Sequence, residues 1–189
     1  MKRCLWAGEE PLMQQYHDSE WCVPSRDDRY IFEMLTLEGA QAGLSWSIVL
    51  NKREDYREAF HNFDIVHCSR LTDEDLLNIK ENYNVVRHLA KLQSVRSNAQ
   101  AVLEIQEEFG SLSKYLWEYV ECKPVINNRK MDADIPASTD LSIRISKDMK
   151  KRNFKFVGPV IIYSFMQAIG MVNDHIETCE YHPQNKETE

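Results

Sequence analysis

The chain has 189 residues, 43% of them apolar and 28% charged, a composition that fits one soluble globular domain with a substantial core and excludes a fibrous or disordered chain. The longest apolar stretch, 157 to 172, is broken by Pro159, Gln167 and two glycines, so it falls short of the roughly 20 residues of a membrane span and reads as a core helix. A net charge of −7 counts against a nucleic-acid partner if only its sum is considered.

The distribution of charge tells more. From 84 to 100 the cations Arg87, Lys91 and Arg96 meet no acid, and from 142 to 155 Asp148 alone faces six cations. Solvated helix faces are the plain explanation, and one cationic face on an acidic protein is the other. The start, MKRCLWAGEEP, has basic residues with no apolar run behind them, so no secretory signal is expected. Cysteines at 4, 22, 68, 122 and 179 are odd in number and irregular in spacing, which suits a reducing, cytoplasmic setting.

Helical spacing recurs at 27 to 42, 45 to 60, 73 to 82, 86 to 108, 111 to 121, 140 to 152 and 158 to 171. Period-2 alternation is not sustained and no Asn-Gly or Asp-Gly turn occurs, so the fold class is all-α. The segment from Cys122 to Thr139 has two prolines and little periodicity and reads as a long connection. Residues 1 to 189 are taken as one domain of two helical groups, 27 to 121 and 1 to 26 with 139 to 182. The tail 183 to 189 is expected to be disordered, and the protein to be a monomer.

In the first long helix, the stretch LEGAQAGLSW (37 to 46) places Glu38 on the apolar face formed by Ile31, Met34, Leu35 and Ala42, with Glu33, Thr36 and Ala40 opposite. A buried carboxylate without a partner costs several kcal/mol, so Glu38 needs a reason.

Thr72 is the expected N-cap of the helix from Asp73 to Asn82, which stops at Tyr83-Asn84. A second helix is expected from about Val86, with Arg87 and His88 in its first turn. A cation there opposes the helix dipole unless an anion sits at that end. A helix–hairpin–helix gripping a DNA backbone has this layout, and a plain αα-turn is the competing reading.

Cys4 and His17 lie near the start of the chain, His175 and Cys179 near its end. On a helix the last two would share a face at i, i+4. Two thiolates and two imidazoles make a closed tetrahedral zinc set that leaves no position for water, a structural rather than a catalytic site. His182 and Cys22 are rival ligands. Trp6, Tyr16, Trp21 and Trp46 surround these segments and Glu38. Core packing accounts for such rings in general, but rings beside a buried carboxylate also suit a flat cationic guest such as an alkylated purine.

The assembled motifs resemble the DNA-3-methyladenine glycosylase I family, a branch of the helix–hairpin–helix glycosylases. They are R-C-x-W at 3 to 6, EPL at 10 to 12, YHDSEW at 16 to 21, IFEM at 31 to 34, LEGAQAGLSW at 37 to 46, VL-x-KRE-x-Y at 49 to 56, FKFVGP at 154 to 159, YSFMQAIG at 163 to 170 and VNDH at 172 to 175. The resemblance implies a structural Zn2+ on Cys4, His17, His175 and Cys179. It implies a base pocket in which Glu38 accepts from the adenine edge between Tyr16 and Trp46, with Trp6 and Trp21 nearby. The hairpin residues Asn84, Val85, Val86, Arg87 and Lys91 are expected to hold alkylated double-stranded DNA, and Leu44, from its place beside the pocket, is the candidate wedge. The expected reaction is monofunctional hydrolysis of the N-glycosidic bond after base flipping, leaving an abasic site, with no catalytic aspartate. Three residues depart from the family pattern: Met13 at an aromatic position, Cys22 after E-W, and Asn84 at a hairpin glycine. Met13 is expected to loosen a pocket wall, and Asn84 to enter the left-handed conformation.

Overall fold

The computed structural model describes residues 2 to 185. Among these residues ten helices carry the fold: α1 Pro11–Ser19, α2 Asp28–Gln41, α3 Trp46–Leu50, α4 Arg53–Ala59, α5 Ile65–Ser69, α6 Asp73–Asn82, α7 Leu89–Phe109, α8 Leu112–Trp117, α9 Asp140–Lys151 and α10 Pro159–Ala168. The class is all-α, as the periodicity requires. The strands β1 Val125–Ile126 and β2 Val172–Asn173 add one short parallel pairing, with Val125 opposite Val172.

Helix α2 is the axis. Asp27 starts it by accepting from the N–H groups of Arg29 and Tyr30. Every residue from Ile31 to Ala40 is buried, because α3, α7, α8 and α10 all pack on this helix. Glu33, Thr36 and Ala40, expected on an outer face, are therefore inside. The charge of Glu33 is met there: Nε of Arg53 and Nε of Arg57 each donate to its Oε1 at 2.7 Å, and Arg53 also reaches Glu20 at 2.8 Å. Polar positions on a central helix look like a solvated face until their partners are known.

Several boundaries differ from the sequence reading. The segment 45 to 60 is two helices, broken at Asn51 and Lys52. The second hairpin helix starts at Leu89, so Val86 and Arg87 lie in the turn before it, and His88 is its N-cap. Helices α1 and α5 were not foreseen. His175 and Cys179 sit in the irregular segment after β2 rather than on a helix, and the path of that segment instead of a helical i, i+4 spacing brings them together. Pro183–Asn185 forms a single 3-10 turn tied back by the Asn185 side chain to the carbonyls of Glu177 and Cys179. The rest of the expected disordered tail, 186 to 189, is outside the described residues.

Both glycines of LEGAQAGLSW have a structural use. A Cβ on Gly39 would stand 3.3 Å from Cβ of Phe156, so its absence lets the loop before α10 approach α2 closely. Gly43 takes φ +82 and turns the chain from α2 into α3, a conformation in which any other side chain is strained.

Candidate functional site

The pairing of α1, α2 and α3 assembles a cavity of about 350 Å³. Trp6, Tyr16, Trp21, Trp46 and Glu38 all line it, so the five residues singled out from the sequence meet at one place. The rings interlock: Trp6 stands edge-on to Trp21 at 4.8 Å between centroids, and Tyr16 tilts against Trp46 at 5.1 Å. Met13 packs against the core and is not among the residues lining the cavity.

Glu38 is 5% exposed and accepts no hydrogen bond. Burial pushes its carboxyl up to about 8, since a charge in an apolar surround loses its hydration. Burial, with the neighbouring Glu38 charge, also raises the Tyr16 hydroxyl well above its ordinary range, which keeps it a proton donor. The indole N–H groups of Trp6 and Trp46 are buried without a partner. The cavity thus offers aromatic faces, free donors and a carboxylate whose ionisation waits for a compensating cation.

Gln41, Asp132, Ile135, Ser164 and Gln167 complete the lining, and sequence reasoning missed them. Gln41 follows Glu38 by three residues on α2, and Ser164 precedes Gln167 by three on α10, so helical spacing could have found these. Asp132 and Ile135 belong to the irregular connection and carry no periodic signal.

Against the cavity wall lies a cluster of Cys4, His17, His175 and Cys179, all buried, with ligand atoms within 4.8 Å of one another. Sγ of Cys179 is 3.6 Å from Nε2 of His17 and 3.5 Å from Nδ1 of His175, and Sγ of Cys4 is 3.7 Å from Nδ1 of His175. A tetrahedral ion bound at the usual zinc distances needs edges of roughly 3.6 Å, so the set fits a metal. Nδ1 of His17 lies 2.8 Å from Asp18, which Arg3 holds in turn, the outer support a metal-binding imidazole needs. The rival ligands are engaged elsewhere. Nδ1 of His182 accepts from the N–H of Gln184, and Sγ of Cys22 accepts from the N–H of Asp174. The rings of His17 and His175 pack on Trp21 at 5.9 and 4.7 Å, which couples the cluster to the cavity.

Helices α6 and α7 pack on each other. Thr72 and Asp75 form a reciprocal cap at its start. None of residues 83 to 88 takes a positive φ, so Asn84 does not enter the left-handed conformation. Its side-chain oxygen and its carbonyl accept from Nζ of Lys52 instead, and the N–H of Val86 donates to the Tyr56 hydroxyl. Val85 is buried and Arg87 exposed. The N-terminus of α7 has no side-chain cap. Lys91 is only 9% exposed and its Nζ donates to the carbonyls of Ala40 and Ala42, while Arg96 pairs with Asp73. Leu44, 38% exposed, borders a smaller hollow that Glu38, Gln41 and Ser164 also line.

A model of the family described as methyladenine glycosylase matches residues 6 to 182. The chain belongs to the methyladenine glycosylase family. It is a glycosylase enzyme, and the curated relatives agree. It is 44% identical over 186 residues to DNA-3-methyladenine glycosylase 1 of Escherichia coli K12, covering 98% of this chain and 100% of the relative. It is 42% identical to DNA-3-methyladenine glycosylase of Haemophilus influenzae, over 94% of this chain and 96% of the relative. A crystal structure of a Tyr-to-Phe variant of 3-methyladenine DNA glycosylase I in complex with 3-methyladenine superposes with a TM-score of 0.94 at 36% identity, over 97% of this chain and 98% of that one. Among the described residues no helix is long and apolar enough to cross a membrane.

Proposed function

We propose that this chain excises 3-methyladenine from alkylated double-stranded DNA by hydrolysis, as a monofunctional enzyme. Support comes first from Glu38, a carboxylate buried without a partner inside an aromatic cavity. N3-methylation gives adenine a positive charge, which weakens the glycosidic bond and removes any need for an acid on the leaving base. The charged base, flipped from the stack, enters between Tyr16 and Trp46 and meets Glu38, with Trp6 and Trp21 closing the wall. Water adds to C1′ and releases a proton to solvent. The electrons of the broken C1′–N9 bond return to the purine, which leaves neutral.

No lysine lines the cavity, in keeping with hydrolysis rather than a Schiff base and strand cleavage. Arg87 and the free N–H groups at the start of α7 take a DNA phosphate, Asn84, Val85 and Val86 shape that turn, and Leu44 fills the gap left by the base. Lys91 serves by holding the end of α2. Cys4, His17, His175 and Cys179 hold Zn2+, which when bound clips the two ends of the chain together. Four protein ligands leave it no open position for water, which disfavours a zinc hydrolase. One monomer contains the whole site.

Incubating the protein with methylated duplex DNA and analysing the released bases tests this. Free 3-methyladenine and alkali-labile abasic sites, without direct strand breaks, are expected. Tight binding to methylated DNA with no base released would identify a sensor of the same fold instead.

A further inference from the structure

The proposed chemistry uses one carboxylate, but the cavity has two. Asp132 opens a single 3-10 turn, Asp132–Asp134, in the long connection before α9. Its Oδ1 accepts from the backbone N–H of Trp6 at 3.3 Å. Its Oδ2 is buried, on a residue that lines the cavity, and has no hydrogen-bond partner.

Among the described residues the other buried carboxylates are saturated. Asp174 accepts from Tyr163, Gln167, Asn127 and Arg129, and Glu33 from Arg53 and Arg57. Even the half-buried Asp28 accepts from the Gln106 amide and from the N–H groups of Leu112 and Ser113. Desolvating a carboxylate oxygen and leaving it bare is costly. Within the described residues this arrangement concentrates where Glu38 and Asp132 face one hollow. Burial alone accounts for the raised Glu38 carboxyl, so the two acids act from separate positions and not as a proton-sharing pair.

We propose that Asp132 is a specificity-determining residue, which adds a second negative charge to the base pocket and favours a cationic alkylpurine over the neutral base that excision produces. The inference rests on the proposed reaction, in which the purine changes from cation to neutral molecule as the bond breaks. Two carboxylates in a low-dielectric cavity raise the affinity for the first form and contribute little to the second. Asp132 thereby strengthens substrate selection and hastens loss of product.

D132N separates charge from position, because the amide oxygen still accepts from the Trp6 N–H. The probes are the 3,9-dimethyladeninium cation, which carries the charge of the substrate base, and neutral 3-methyladenine, each titrated calorimetrically into wild type and D132N. The cation-to-neutral affinity ratio is expected to fall about tenfold in D132N, with the affinity for the neutral base little changed. D132S, which also lacks the charge, should give the same loss. Retained metal content and thermal stability would show that both variants keep the Trp6 wall. An unchanged ratio in folded D132N and D132S overturns the inference, and so does an equal loss of both ligands, which would mark a purely structural role. Because the ratio is read from small molecules, it is independent of whether wild type releases 3-methyladenine from DNA, the separate observation on which the proposed reaction stands.

Discussion

Lys91, in the first turn of α7, places Nζ 2.8 Å from the carbonyl of Ala40 and 2.7 Å from that of Ala42. The helix proposed to meet the DNA backbone is thus tied to the end of the helix that carries Glu38. A cation is unfavourable at the start of its own helix, but here it satisfies carbonyls that the C-terminus of α2 leaves open.

Lys91→Met keeps much of the buried stem and removes both hydrogen bonds. Expected is a loss of about 2 kcal/mol of stability by urea titration, together with slower base release, since the turn carrying Leu44 and leading to Trp46 loses its anchor. Parent-like values in both measurements would show that the tie has no mechanical role.

The Cys4–His17–His175–Cys179 cluster joins residues from both ends of the chain. About one zinc per chain is expected by elemental analysis, and Cys179→Ser should lose it. Chelation should lower Tm before it affects the chemical step at a temperature where the protein stays folded. Loss of excision at unchanged Tm would point to a catalytic ion.

Arg53 is buried between Glu33 and Glu20. Arg53→Ala leaves two carboxylates beside the core of α2 short of a partner and is expected to cost about 3–5 kcal/mol in denaturant unfolding. A cost below about 1 kcal/mol would mean that Arg57 and water replace it.

Glu38 gives a pH signature in stability. Its carboxyl is raised in the folded protein to about 8, so the folded state binds a proton that the unfolded chain has released above the ordinary carboxylate range. The stability contributed by that proton is fully present at low pH and is lost as pH rises through about 8. Glu38→Gln lacks the titration, so its Tm should rise relative to wild type between pH 5 and pH 8. Parallel curves would show that Glu38 is hydrated.

Much of this was legible in the sequence, and what was not has physical reasons. Glu38 stood out because it broke the apolar face of a strongly periodic helix, and the ring-bearing residues and the Cys/His cluster sat in motifs specific enough to name a family. The central position of α2 was hidden because Glu33 and Thr36 imitate a solvated face, and only Arg53 and Arg57, twenty and more residues away, reveal the difference. The start of α7 was misplaced because Val86 continues the apolar spacing into a turn held by Lys52 and Tyr56, partners that spacing cannot reveal. Asp132 was invisible because nothing periodic marks a single 3-10 turn in a long connection.

The most direct test of the central claim is the single-turnover rate of 3-methyladenine release from a duplex with one such base, compared between wild type and Glu38→Gln. If a buried carboxylate receives the cationic purine, the variant should be slower by about a hundredfold or more while remaining folded and bound to DNA. Release by Glu38→Gln at the wild-type rate would contradict it.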